Sequence, residues 1–196
     1  MIKLNNVITQ FPNFSISYPD IIFPKNKITF IIGKNGTGKT TLLKSIAKLV
    51  PYRGSIEYKG VATCHMQEPI LFNRSVYDNI IYPLKIRHLN ISDYEEPLLE
   101  YAKTLEIDTL LTRASKSLSA GEKMKVSILR SIIFKPDILL LDEPTTHLDL
   151  TSIQQLTVLI KKLKQTMTIV IVSHNQAFID ELQDEIYQLG GNHVYS

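Results

Sequence analysis

The chain lacks most of what would place it outside the cell or within a bilayer. Its 196 residues include one cysteine and no tryptophan. A lone Cys64 cannot close an internal disulfide, so no cystine framework holds this fold together, and a reducing compartment suits it. The residue itself is expected to be a buried strand position. Long apolar runs are missing as well. The longest, such as Ile138–Leu141, fall far short of the roughly 20 residues that a spanning helix needs. Met1–Asn6 carries no apolar stretch of the secretory kind, so any membrane role is expected to come through a partner. Nor does charge of one sign dominate: 22 Lys and Arg against 19 Asp and Glu leave +3. The lysines are dispersed or, like Lys161, Lys162 and Lys164, sit together on one expected helix as a solvated face. No nucleic-acid partner is expected from that balance. No internal repeat or low-complexity tract is present, and 44% apolar with 21% charged residues is the composition of a globular chain. The length suits one domain, or one domain with an insertion.

Glycine is also scarce, with 8 in all, yet three fall in one loop. Gly33-Lys34-Asn35-Gly36-Thr37-Gly38-Lys39-Thr40 is a phosphate-binding loop of the G-x-x-x-x-G-K-[ST] type. Its glycines leave backbone N–H groups free to cradle phosphate oxygens, Lys39 brings positive charge, and the Thr40 hydroxyl can ligate Mg²⁺. The flanks agree. Lys27–Ile32 reads as a short buried strand, and Thr40–Val50 as a helix stopped by Pro51, whose N-terminal dipole favours the same anion.

Strands are expected at Ile2–Val7, Phe14–Tyr18, Gly54–Tyr58 and Val61–Met66. From Glu68 to Ser117 the periodicity turns helical, with Ser75–Lys85 and Ser92–Leu105 as candidate helices and Ser92 with Glu95 as a capping box. Thereafter α/β alternation resumes: helix Ser119–Phe134, strand Asp137–Leu141, helix Thr151–Lys164, strand Thr168–Val172. The last two strands are apolar throughout, as parallel strands buried on both faces are.

Ile138-Leu-Leu-Leu-Asp142-Glu143-Pro144 delivers two carboxylates at the carboxyl edge of a sheet, where α/β folds bind ligands. Asp142 is assigned to the metal, and Glu143 to accepting a proton from the attacking water. Leu118-Ser119-Ala120-Gly121-Glu122 opens a helix. Ser119 and Glu122 have capping-box spacing, while Gly121 costs about 1 kcal/mol relative to Ala in a helix, which a close approach by phosphate would explain.

In these motifs the chain resembles the nucleotide-binding subunit of an ATP-binding cassette (ABC) transporter, and it does so over nearly its whole length. Gly33–Thr40 matches the family's Walker A loop, Gln67 its Q-loop and Leu118–Glu122 its signature. Asp142 and Glu143 match Walker B, Leu148-Asp149 the D-loop and His174 the H-loop histidine. Ala120 and Glu122 depart from the common Leu-Ser-Gly-Gly-Gln signature, as does the following Lys123-Met124-Lys125.

The resemblance implies an α/β P-loop NTPase core with a mostly parallel sheet, an N-terminal antiparallel β subdomain and a helical insertion. That is one domain over 1–196, with the core at 1–67 and 118–196 and the insertion at 68–117. It implies an importer-like ATPase that couples ATP hydrolysis to uptake of a small solute, with a soluble ABC protein of DNA repair or ribosomes as the alternative. The implied cofactors are ATP and Mg²⁺. The nucleotide contacts would be Phe11 as the adenine-stacking aromatic, with Phe14 as competitor, then Gly33 to Thr40, Thr41, and Ser119, Ala120, Gly121 and Glu122. Thr40, Gln67 and Asp142 would serve the metal, and Glu143, His174 and Lys39 the chemistry. The implied partners are a second copy or a related subunit packed head to tail, transmembrane permease subunits and a solute-binding protein, with the chain cytoplasmic at the inner membrane face. His65, His88, His147 and His193 match no motif and are read as structural or solvent-exposed.

Overall fold

The computed structural model describes residues 1–190 and the backbone of 193–195. Two five-stranded sheets organise the chain. The first is antiparallel: β1 (Ile2–Gln10) lies between β5 (Tyr52–Glu57) on one edge and, on the other, β2 (Phe14–Ser17) and β3 (Ile21–Phe23), while β10 (His193–Tyr195) extends β2. The second is parallel throughout, in the order β6 (Ala62–His65), β7 (Ile138–Asp142), β8 (Thr168–Val172), β4 (Ile28–Ile32), β9 (Glu185–Gln188).

The uninterrupted apolar character of the central strands follows from a two-sided burial. Along β7, Leu139 and Leu141 enter one core while Ile138 and Leu140 enter another. Along β8, Ile169 and Ile171 alternate with Val170 and Val172 in the same way. With period two and both faces covered, both sets of alternate positions are predominantly apolar. One core lies between the two sheets and includes α1 (Lys39–Ile46) through Leu42, Leu43 and Ile46. The other lies under α2 (Val76–Ile86), α3 (Glu95–Thr104), α4 (Ala120–Ile132), α5 (Leu150–Leu163) and α6 (Gln176–Leu182). Within it Phe30 meets Phe178 edge to face at 5.9 Å.

The α/β architecture expected from the motifs is thus present, with local differences. The phosphate-loop helix ends at Ile46, four residues early, because Lys48 turns left-handed at φ 58. The expected Ser92–Leu105 helix begins as a 3₁₀ turn over Ile91–Tyr94, and α3 starts at Glu95 without a side-chain cap. Ser92 and Glu95 form no capping box; the Ser92 hydroxyl turns to Asp93 instead. Pro97 supplies the reason. A helix capped at Ser92 would place Pro97 past the first turn, where its missing N–H removes an i→i−4 bond, whereas a start at Glu95 leaves it in the first turn.

The pattern also passed over β3, α6 and β9, three to seven residues each and too short to show a period. Cys64 does lie on a strand, β6, but half-buried. His65 is buried, His88 and His147 are exposed at left-handed φ of 54 and 65, and the His193 side chain lies outside the described residues.

Candidate functional site

Topology brings the motifs together. The strands β6, β7, β8 and β4 are neighbours in that order, so the segments leaving their carboxyl ends line up along one edge: Gln67 after β6, Asp142 and Glu143 at the end of β7, His174 after β8, and the phosphate loop after β4. Together they border a cavity of about 760 Å³ whose lining includes Asn35, Gly36, Gly38, Lys39, Thr40, Thr41, Gln67, Asp142, Glu143 and His174.

Gly33, Lys34 and Thr37 belong to the loop but support it from behind. Lys39 is 7% exposed, and its ammonium donates to the carbonyls of Gly33 (2.9 Å) and Lys34 (3.0 Å), while the Thr37 hydroxyl donates to the Lys34 carbonyl (3.0 Å). The charge that a phosphate would meet is therefore held by loop carbonyls. Gly38 caps α1 at φ 90 and ψ 17 with no side-chain cap bond, a left-handed conformation that glycine adopts without steric cost.

Beside the loop, the Thr40 hydroxyl donates to Asp142 at 3.1 Å. Asp142 is 2% exposed. Burial raises its pKa above the ordinary carboxylate value, outweighing the Thr40 hydrogen bond and the charges of Lys44 and Lys39 that oppose it. A hydroxyl and a carboxylate on one wall, with the Gln67 amide on the same cavity, form an oxygen donor set of the kind Mg²⁺ takes. The cost of keeping that carboxylate charged in the fold is what a cation would relieve.

Glu143 is held in an unusual backbone. Its φ is 46, a left-handed conformation that costs a non-glycine residue on the order of 1 kcal/mol or more, while its N–H bonds the Val172 carbonyl at 2.9 Å. That turn aims the carboxylate at the segment that follows β8, where the His174 backbone N–H donates at 3.3 Å and His174 Nε2 lies 3.4 Å away. Burial pushes the Glu143 pKa up, and the proximity of His174 only partly offsets it. A carboxylate poised above its usual range beside a phosphate loop suits a general base.

Two groups of expected residues lie elsewhere. Phe11 does not line the cavity: Phe14 and Ile16 do, and Phe11 stacks on Phe14 with ring centroids 4.6 Å apart and planes inclined by 17°. Phe14 and Ile16 share one face of β2 by its period of two, and Phe11 lies in the turn before that strand. Thr146 and Val172 also line the cavity and carried no motif.

Ser119, Ala120, Gly121 and Glu122 border a separate cavity of about 480 Å³ with Lys125, His147, Asp149 and Ser152. There the capping box is complete: Ser119 N–H donates to Glu122 at 2.7 Å and Glu122 N–H to the Ser119 hydroxyl at 3.2 Å. Gly121 has a second reason to be glycine, since a Cβ there would lie 2.9 Å from the His147 carbonyl.

Known proteins resemble this chain in sequence and in fold. Residues 19–146 match the ABC transporter family. The chain belongs to that family. Its relatives include the tungstate uptake system ATP-binding protein TupC of Peptoclostridium acidaminophilum, 34% identical over 89% of this chain and 86% of that protein. Another is the phosphate import ATP-binding protein PstB of Thermotoga maritima, 32% identical over 86% of this chain and 80% of that one. Among solved structures, an ATP-binding subunit of an ABC transporter superposes with a TM-score of 0.90 over 100% of this chain and 90% of its own, at 19% identity, a likeness of fold. ABC transporter ATP-binding chains of this kind bind ATP and are ATPases. No helix among the described residues is long and apolar enough to cross a membrane.

Proposed function

We propose that this ABC chain hydrolyses ATP to ADP and phosphate as the energy-coupling subunit of an importer for a small oxyanion of the tungstate or phosphate kind. The convergence of Lys39, Thr40, Asp142, Glu143 and His174 on one cavity carries the reading of the chemistry, and the kinship with oxyanion importers carries the substrate class.

In this reading the loop N–H groups and the start of α1 bind the phosphates. Lys39 leaves the Gly33 and Lys34 carbonyls for the transferring phosphoryl group and stabilises its charge. Thr40 and Asp142 hold Mg²⁺, with Gln67 beside them. Bound there, Mg²⁺ would neutralise charge on the phosphates. Glu143 accepts a proton from the attacking water, and His174, 3.4 Å from it, orients that carboxylate and contacts the γ-phosphate. Phe14 gives the base an aromatic wall, and Phe11 backs it.

The signature residues Ser119 to Glu122 face a different cavity from the phosphate loop of the same chain, which supports the head-to-tail pairing of two subunits that the family resemblance implies. Each would present its α4 N-terminus to the nucleotide of the other. Residues 68–117 form the helical arm that passes closure to a permease, which keeps the chain at the cytoplasmic face, and a solute-binding protein delivers the oxyanion from outside.

Purified protein should hydrolyse ATP in the presence of Mg²⁺. Glu143→Gln should lower kcat by on the order of 10²-fold or more while ATP binding persists. Undiminished turnover in that variant would remove Glu143 from its role. With the permease reconstituted in vesicles, ATPase stimulated by an oxyanion-loaded binding protein is expected, and stimulation by an amino-acid-loaded one instead would overturn the substrate class.

A further inference from the structure

The phosphate loop rests on a side chain that takes no part in the hydrolytic chemistry. Tyr18 immediately follows β2, and its N–H continues the pairing of that strand to the Val7 carbonyl at 2.9 Å. Its ring is buried between the two sheets, 3% exposed, and its hydroxyl donates to the Gly38 carbonyl at 3.1 Å. That carbonyl also accepts the Leu42 N–H at 2.8 Å, the first bond of α1. The fit is close. A Cβ on Gly38 would lie 3.0 Å from the Tyr18 hydroxyl and 3.1 Å from Ile16.

The anchor is part of a buried cluster. The side chains of Thr9, on β1, and Thr41, on α1, are neighbours of the Tyr18 hydroxyl. Thr9 pairs with Ser45 at 2.9 Å, and Ser45 donates to the Thr41 carbonyl at 2.9 Å. The Thr9–Ser45 bond ties the antiparallel sheet to the last turn of α1 and the Tyr18–Gly38 bond ties it to the start, where the N-cap Gly38 has no side chain of its own to do so.

Two geometric consequences follow. A trans peptide points its C=O and N–H to opposite sides, so fixing the Gly38 carbonyl on Tyr18 and Leu42 aims the Lys39 N–H away from them, towards the cavity that Lys39 lines. Along the strand direction, Phe14, Ile16 and Tyr18 share one face by the period of two. Phe14 and Ile16 form the wall of the cavity, and Tyr18 holds the loop opposite.

We propose that Tyr18 is a positioning residue for nucleotide binding, its hydroxyl setting the spacing and orientation of the phosphate loop relative to the β2 wall. The proposal rests on the cavity being a nucleotide site.

Tyr18→Phe keeps the ring and removes only the hydroxyl, leaving the Gly38 carbonyl with one partner. Loss of a hydrogen bond of ordinary strength corresponds to roughly fivefold in affinity. The experiment measures Kd for ATP by calorimetry, KM and kcat for hydrolysis, and the thermal midpoint, for wild type, Tyr18→Phe and Thr9→Val. Thr9→Val removes a hydroxyl of the same cluster without touching Gly38.

The expected result is a Kd and a KM raised about fivefold in Tyr18→Phe with kcat within twofold of wild type, and a wild-type Kd in Thr9→Val whatever its thermal midpoint. An unchanged Kd in Tyr18→Phe overturns the proposal. So does an equal loss of affinity in Thr9→Val, or a Tyr18→Phe protein that does not fold, because either makes the hydroxyl a matter of packing alone. A wild-type protein that binds no ATP overturns the nucleotide reading itself and is thereby told apart from these outcomes.

Discussion

Replacing Asp142 by asparagine should stabilise the ligand-free protein while ending its Mg²⁺-dependent hydrolysis. The carboxylate sits at the end of β7, 2% exposed, and burial raises its pKa against the pull of the Thr40 hydrogen bond, Lys44 and Lys39. A raised pKa means that the fold tolerates the ionised form less well than the unfolded chain does. The sign follows from linkage: stability from this group is fully present below the unfolded value, near pH 4, and is lost as pH rises through the higher folded value. Above that folded value the charged form destabilises the empty site.

Asparagine has the same shape without the charge. The Thr40 hydroxyl keeps an acceptor, the amide N–H₂ opens on the cavity that Asp142 lines, and the repulsion that Asp142 exerts on Glu143 disappears. Relief on the order of 1 kcal/mol is expected, which for a chain of this size raises the thermal midpoint by about 2–4 °C. The assay is a thermal melt in EDTA without nucleotide, from pH 5 to pH 8. The variant should melt above wild type at pH 7.5, with the gap closing towards low pH as wild type takes up its proton. MgATP should raise the midpoint of wild type far more than that of the variant. A variant no more stable than wild type at pH 7.5, or a gap that widens on acidification, would refute the reasoning.

Hydrolysis should fall on the acid side with a limb above the ordinary glutamate pKa of about 4.3, because Glu143 must be ionised to take a proton and burial raises its pKa. A pH profile of kcat/KM that stays flat down to pH 5 would contradict this. If the proposed head-to-tail dimer forms, Gly121→Ala should leave ATP binding by the single chain intact yet lower turnover by roughly tenfold or more, since the new Cβ would press on the His147 carbonyl at 2.9 Å; equal kcat in both proteins argues against a shared site. Phe30→Ala removes a fully buried ring packed edge to face on Phe178 and should cost about 3–5 kcal/mol in urea unfolding, read as a lower midpoint at a similar slope.

The motifs were legible because each is contiguous and each encodes local chemistry. Glycines at 33, 36 and 38 and the carboxylates at the end of an apolar strand can be recognised without knowing what they pack against. Element boundaries were legible where a period or a cap was strong, as with the Ser119–Glu122 capping box of α4. They failed where a single residue far along the pattern overrode it, as Pro97 did for the Ser92 start. Short pieces such as β3 and α6 have too few positions to display a period and exist through tertiary pairing and packing.

By itself, the sequence determined the ligand class and the layered α/β architecture, since a phosphate loop between a strand and a helix and fully apolar strands each admit few physical solutions. Only the tertiary structure decided which residues share a cavity. Parallel neighbours in the order β6, β7, β8, β4 place Gln67, Asp142, Glu143, His174 and the loop at one edge across more than 100 positions of chain, and Phe14, on β2, lines that cavity while Phe11, in the turn before it, stacks behind. The same geometry sets Ser119 to Glu122 on another cavity and puts the Tyr18 hydroxyl under Gly38. Such relations depend on strand order and on which face a side chain takes, and neither is written in any local run of residues.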